Sequence, residues 1–290
     1  MKPVIYSLFG EHPWLASLLQ KMNAEKGTFV LRDFPDGETY FQFQGEVADR
    51  EIIFLASLDY PNAKIMPLLF AAATAKELGA KKVSLIAPYL AYMRQDKRFH
   101  PGEAITSNEF ARLFSQYFDS LVTVDPHLHR HHHLNEIYSI PSIVIPAAPA
   151  ISAWIQKNIP KPILIGPDME SEQWVSQVAS AVNIPFVILE KTRVGDASVS
   201  VSDLKISDDV DRTPILVDDI ISTGRTMMVT ITKLKQYFLP QTVCIGVHAV
   251  FAGDAYQQLL NTGARVVTCN TIAHLSNGID VAPFHRQRGY

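Results

Sequence analysis

Two adjacent carboxylates, Asp218 and Asp219, follow the apolar run Ile215 to Val217, and Ser222, Thr223, Gly224, Arg225 and Thr226 come directly after. A loop of small and hydroxyl residues ahead of a helix offers backbone N–H groups and a helix N-terminus to a phosphate. The hydroxyls of Ser222, Thr223 and Thr226 can add donors. The paired carboxylates can accept hydrogen bonds from the vicinal hydroxyls of a sugar. A simple helix cap would account for one Ser or Thr, but not for two Asp at the end of a buried strand. The segment reads as a site for a phosphorylated sugar.

Four other segments carry residues with chemical potential. Phe34, Asp36 and Glu38 alternate with other residues in RDFPDGETYFQF. On an extended strand they would point the same way; the Asp-Gly pair would equally suit a hairpin turn. Arg94 and Gln95 lie in the basic string MRQDKRF, and an arginine there suits bidentate phosphate contact. Five histidines crowd into positions 127 to 133. His127 follows an apolar run, whereas His129, His131, His132 and His133 leave open a Zn or Ni site. Asp168 and the pair Lys191 and Arg193 each stand just after an apolar run. Neither Cys244 nor Cys269 has a neighbour that would make it a nucleophile.

The elements that must position these residues are legible as short β-branched runs alternating with helical patterns. Strands are expected at Glu51 to Ser57, Val83 to Leu90, Leu121 to Asp125, Pro162 to Ile165, Pro185 to Leu189, Pro214 to Val217, Val243 to Val250 and Arg265 to Thr268. Helices are expected at Ala63 to Leu78, Glu172 to Val182, Met227 to Phe238 and Ala255 to Leu260. Near-continuous apolar strands between helices predict parallel sheets covered on both faces. The unit strand, turn, Ala-rich helix, strand occurs at 51–90 and is echoed at 162–191. We therefore expect an α/β chain of two tandem domains, 1–145 and 146–290, meeting near the Pro- and Ala-rich segment 141–150. The last residues are expected to return to the first domain. Open α/β sheets bind ligands beyond the carboxyl ends of their strands, where the chemically interesting residues fall.

The chain has 290 residues and is 47% hydrophobic, enough for two buried sheets. A net charge of −3 makes no electrostatic case for nucleic acid. Two cysteines form no disulfide framework. No apolar run reaches the ~20 residues that span a bilayer, and the N-terminus lacks the features of a signal peptide. A soluble, unprocessed protein of a reducing cytoplasm is expected, without nucleic-acid or membrane partners.

Segment 215–227 resembles the phosphoribosyl diphosphate (PRPP) loop of the type I phosphoribosyltransferase fold, which also includes the PRPP synthases, or ribose-phosphate diphosphokinases. PYLAYMRQDKRF, TVDPHLHRHHHL, LIGPDMESEQWV and LEKTRVGDASVSV resemble the synthase segments in the family order, and RDFPDGETYFQF resembles the family's nucleotide loop. The resemblance implies two phosphoribosyltransferase-type domains and diphosphoryl transfer from ATP to ribose 5-phosphate. It assigns ATP contacts to Phe34, Asp36, Glu38, Arg94, Gln95 and His127. It assigns Mg²⁺ contacts to His127 and Asp168, and catalytic cations to Lys191 and Arg193. Asp218, Asp219 and Ser222 to Thr226 would hold ribose 5-phosphate. A homo-oligomer is implied, since a neighbouring subunit often supplies the nucleotide loop. The chain departs from the family pattern at Met169, Glu170, Ser171 and Glu172, where small residues are usual. A PRPP-consuming phosphoribosyltransferase would keep 215–227 without needing Arg94, Gln95, Lys191 or Arg193. A non-catalytic regulatory relative would be consistent with the departures at 169–172.

Overall fold

In a computed structural model the described residues are 1–128, 130–166, 171–189, 192–194, 198–200, 211–235 and 241–282. At positions 173, 181, 192–194 and 198–200 the backbone alone is described. The chain forms two compact units, Met1–Ile145 with Ala282, and Pro146–Val281.

The first unit is built on a six-stranded, wholly parallel sheet. Its strands are β1 (Val4–Ser7), β2 (Glu25–Lys26), β5 (Glu51–Leu55), β6 (Lys82–Ala87), β7 (Ser120–Val124) and β8 (Ser142–Ile145), in the order β2-β1-β5-β6-β7-β8. Helices α1 (Leu15–Lys21), α2 (Asn62–Glu77) and α3 (Thr106–Tyr117) make the connections. An antiparallel hairpin, β3 (Phe29–Asp33) and β4 (Thr39–Phe43), is a separate two-stranded sheet that packs on the core through Phe29, Phe41 and Phe43. Ala71, Ala72 and Ala75 of α2 are fully buried; side chains this small let a helix lie close to a sheet. The helix stops at Gly79, whose φ of 83° is a left-handed conformation that suits glycine. Gly79 N–H donates to Lys76 O and Ala80 N–H to Ala75 O, a Schellman ending. Ile52, Phe54, Leu85, Phe114 and Phe118 are buried in the core, each worth roughly 1.5–3 kcal/mol of transfer free energy.

The second unit repeats the plan. Its strands are β9 (Pro162–Gly166), β10 (Phe186–Ile188), β13 (Thr213–Ile221), β14 (Val243–Ala249), β15 (Arg265–Cys269) and β16 (Asn277–Ile279), in the order β10-β9-β13-β14-β15-β16. Helices α4 (Ala148–Asn158), α5 (Glu172–Val182), α6 (Arg225–Leu234) and α7 (Ala255–Asn261) flank it. A short antiparallel pair, β11 (Thr192–Val194) and β12 (Ser198–Ser200), lies outside the sheet. Strand by strand, the two sheets have one order, with β5 in the place of β13 and β1 in the place of β9.

One expectation is corrected here. The echo of 51–90 is β13–α6–β14, not 162–191, which instead echoes β1–α1–β2. The apolar period alone could not tell equivalent units apart, because both begin with a strand and a helix. The two units divide between Ile145 and Pro146, inside segment 141–150. Its β-branched residues pair as β8 beside β7, and Ala148–Asn158 is already helical. The strand at the end of the chain's second half, β16, and helices α1, α3 and α4 were not anticipated.

Candidate functional site

The sugar-phosphate candidates lie at the carboxyl end of β13. The strand continues through Asp218 and Asp219 to Ile221, four residues beyond its expected end. Both carboxylates therefore lie within the strand rather than in the turn, and both are half-buried. Asp218 Oδ1 accepts the Asp219 N–H at 3.0 Å. Asp218 pairs in register with Gly246 of β14. A Cβ on Gly246 would come within 2.6 Å of Ile221 Cδ1, so this crowded strand crossing favours glycine.

Ser222, Thr223 and Gly224 bridge β13 to α6. Phe251 N–H donates to Ile221 O at 2.9 Å and Ala252 N–H to Ser222 O at 3.1 Å, which pins the start of the loop to the β14–α7 connection. Gly224 is the N-cap of α6, with φ 65°. No side chain caps this helix, so the Ser and Thr hydroxyls are not consumed by capping. Helix N–H groups at such an end lack intrahelical acceptors and carry the positive end of the dipole. Thr223, Arg225 and Thr226 are exposed around it. The arrangement suits a dianionic phosphate better than a neutral group.

The matching position of the first unit is built differently. The β5–α2 connection stands where the β13–α6 loop stands in the second sheet. Its N-cap is Pro61, which has no N–H to offer. Lys64 Nζ donates to Asp59 Oδ1 at 2.6 Å and to Ser57 O at 2.8 Å. A cation of the chain, balanced by its own carboxylate, thus occupies this helix head. The duplicated plan gives a glycine-capped helix head in the second unit and a proline-capped one beside an ion pair in the first.

The first unit contributes the Arg94–Gln95 and His127 segments at the carboxyl ends of β6 and β7. Arg94 is exposed and Gln95 half-buried. Gln95 O accepts the Ser107 N–H at the head of α3, at 3.3 Å. After β7 the backbone makes a three-residue turn in which His127 N–H donates to Asp125 O at 2.9 Å. Asp125 and His127 have φ values of 30° and 55°, uncommon for residues with a side chain. Such strain persists where surrounding structure enforces it, and it concentrates at functional sites. Arg130 Nη1 donates to Asp96 Oδ1 at 2.5 Å, tying this loop to the Arg94–Gln95 loop.

Glu136 organises His131, His132 and His133. Glu136 Oε1 accepts the backbone N–H groups of His132 and His133, and Oε2 lies 3.1 Å from His131 Nδ1. The His131 contact, helped by the two backbone donors, holds the Glu136 carboxyl below the usual range. Among the described residues no three His, Cys, Asp or Glu side chains converge as a metal site. A Zn or Ni centre at 129–133 therefore gains no support from them; position 129 lies outside the described residues.

Phe34, Asp36 and Glu38 are not on an extended strand. They form the turn of the β3–β4 hairpin, where Phe34 N–H donates to Glu38 O at 2.7 Å and Gly37 N–H to Phe34 O at 2.9 Å. Asp36 Oδ1 accepts the Glu38 N–H. The Asp-Gly turn preference outweighed the alternation, and Gly37 takes φ 89°. The tip is exposed, with Arg32 stacked 4.8 Å from the Phe34 ring and 4.4 Å from the Tyr40 ring.

Asp168 and Lys191 lie outside the described residues. Arg193 is placed by its backbone alone, on β11 opposite Val199. Cys244 and Cys269 are buried. Burial pushes the Cys244 thiol up to about 12, far from a nucleophile's range. Asp96, Arg130 and Glu136 were missed from the sequence. Asp96 sat inside a string read for its cations, and Arg130 was overshadowed by the histidines around it.

A family model described as the N-terminal domain of ribose phosphate pyrophosphokinase matches residues 4–117, and a phosphoribosyl transferase domain model matches residues 133–284. The ribose-phosphate pyrophosphokinase of Saccharolobus solfataricus is 32% identical over 246 residues, with 82% of each chain covered. That of Methanothermobacter thermautotrophicus is 32% identical over 257 residues, with 87% of each chain covered. The crystal structure of phosphoribosylpyrophosphate synthetase from Mycobacterium smegmatis superposes with a TM-score of 0.81 at 25% identity, covering 93% of this chain and 89% of that one.

Proposed function

Because the chain belongs to the ribose-phosphate pyrophosphokinase family, we propose that it transfers the β,γ-diphosphate of ATP to the anomeric hydroxyl of ribose 5-phosphate, giving PRPP and AMP. The single observation that carries the sugar side of this reading is the head of α6. Gly224 caps it without a side-chain hydrogen bond, which leaves a phosphate cradle preceded by two carboxylates.

In this reading the 5-phosphate sits at Ser222 to Thr226, and Asp218 and Asp219 orient the ring hydroxyls. Arg94, Gln95 and His127 hold the ATP phosphates, and the Phe34–Glu38 turn meets the nucleotide. The anomeric oxygen attacks the β-phosphorus, the bond from that phosphorus to the α,β-bridging oxygen breaks, and AMP leaves with the electron pair. Such transfer needs alignment and neutralisation of spread charge more than covalent help. Lys191 and Arg193 are the proposed cations for that charge.

Mg²⁺ is the implied metal. Mg²⁺ prefers oxygen and commonly binds through one or two protein groups plus substrate phosphates. His127, half-buried in the turn after β7, would be one such group. His127 and Asp168 would be its protein contacts. When bound it would neutralise charge on the ATP phosphates.

We read the protein as a homo-oligomer in the cytoplasm. The α2 surface presents Met66 and Phe70 at 49% and 44% exposure, and the hairpin tip at Phe34 is also exposed. Both suit coverage by a second copy. No helix among the described residues is long and apolar enough to cross a membrane. A chain with only two cysteines, both buried, suits a reducing compartment.

The test is AMP release from ATP and Mg²⁺ with and without ribose 5-phosphate, with PRPP followed by coupling to a phosphoribosyltransferase. Equal AMP and PRPP, formed only with the sugar, is the expected result. ATP binding without turnover would favour the regulatory relative. The match of residues 4–117 to the pyrophosphokinase N-terminal domain speaks against a PRPP-consuming transferase.

A further inference from the structure

We propose that Asp96 and Arg130 are a positioning pair that locks the Arg94–Gln95 loop to the His127 loop, so that both sets of ATP contacts are held as one unit. The inference rests on the ATP reading given above.

The two loops leave neighbouring strands, β6 and β7, which pair in register from Ser84 with Ser120 to Ala87 with Thr123. Beyond those strands the sheet no longer fixes their separation. Each loop is braced internally. Glu103 Oε2 accepts the N–H groups of Phe99 and His100 in the first loop, and Glu136 accepts those of His132 and His133 in the second. Neither brace sets one loop against the other. Arg130 does so, by donating to Asp96 at 2.5 Å and by placing its guanidinium 5.6 Å from the Phe99 ring centre.

The exposures of the partners point to a structural tether and away from a surface ion pair. The Asp96 side chain is 4% exposed and that of Arg130 37%. A carboxylate removed from water needs a paired cation, so Asp96 fixes where Arg130 must be. Asp96 directly follows Gln95, and Arg130 stands three residues beyond His127. A shift of either partner is therefore passed to a proposed ATP contact in each loop. Displacements of about 1 Å at reacting groups can cost roughly 10²-fold in rate.

The test uses the full-length protein, with variants Asp96→Asn, Arg130→Met, the double variant and Arg130→Lys. Steady-state KM is measured for ATP and for ribose 5-phosphate, with thermal midpoints alongside. Either single variant should raise the ATP KM roughly tenfold, the coupling expected within one ion-pair network, and leave the ribose 5-phosphate KM within about twofold. The double variant should resemble the singles rather than multiply them, and Arg130→Lys should recover part of the loss. Should a single variant not fold, the double variant decides, because it leaves no unpaired charge. An ATP KM unchanged in the double variant overturns the proposal. So does loss in Arg130→Met without loss in Asp96→Asn, which would make Arg130 a direct phosphate contact. Wild-type protein that makes no AMP or PRPP would instead defeat the parent reading, and so separates the two failures.

Discussion

Gly224 at the head of α6 lies against Leu259 of α7: a Cβ placed on Gly224 would be 3.0 Å from Leu259 Cδ1 and 3.2 Å from its Cγ. The same glycine has φ 65°. Two independent constraints, a left-handed backbone and a packed neighbour, therefore act on the N-cap of α6, within the proposed phosphate loop. Gly224→Ala should cost about 1–2 kcal/mol from the backbone conformation alone. Relieving the contact would also move the loop. The expected outcome is a ribose 5-phosphate KM raised at least tenfold with the ATP KM little changed, read by steady-state kinetics, and a thermal midpoint lowered by several degrees.

Asp218 and Asp219 are proposed to meet sugar hydroxyls, and hydrogen bonds to charged groups are worth about 1.5–3 kcal/mol. Asp218→Asn and Asp219→Asn should each lower kcat/KM for ribose 5-phosphate by roughly 10–100-fold. ATP binding, measured by calorimetry without sugar, should be preserved in both. Equal losses of ATP and sugar affinity would instead mark a folding defect in β13.

Lys191 is assigned by sequence resemblance. Cationic groups that stabilise phosphoryl-transfer transition states are worth factors of about 10³–10⁵ in kcat. Lys191→Ala should show a kcat loss of that order with modest change in either KM. Activity within about threefold of wild type would remove Lys191 from the mechanism.

The stability of the second unit should depend on pH through His274. Burial holds its imidazole pKa below the ordinary value. Its Nδ1 accepts the Ser276 N–H at 3.1 Å, a role open to the neutral ring only, and its ring packs 4.7 Å from those of Phe251 and Tyr256. In the unfolded chain the ring gains its proton near pH 6.5; in the folded chain it does so at lower pH. Between those values the unfolded state binds more protons, so stability is complete above about 6.5 and declines as pH falls toward the folded value. Thermal midpoints measured from pH 7.5 to 5 should fall more steeply for wild type than for His274→Gln.

Association can be tested at α2. Phe70→Glu places a charge on its exposed apolar face and should lower the solution mass found by light scattering, at an unchanged circular dichroism spectrum. An unchanged mass would remove α2 from the proposed interface.

The sequence by itself determined the architecture, because short β-branched runs broken by Ala-rich helical patterns have few packings other than parallel α/β sheets. It also singled out 94–95, 127 and 218–226 as candidates for chemistry, since clustered hydroxyls, carboxylates and cations at or after the ends of apolar runs have no core role. Tertiary structure alone decided three things. Strand pairing carried β13 through Asp218 and Asp219 to Ile221, because β14 offered a partner along that length. Turn chemistry at Asp36 and Gly37 overrode an alternation that looked extended. The Asp96–Arg130 and Lys64–Asp59 pairs join residues whose meeting depends on loop paths. A charge in the sequence has no partner until the fold removes it from water, and that removal is what makes one opposite charge among many the required one.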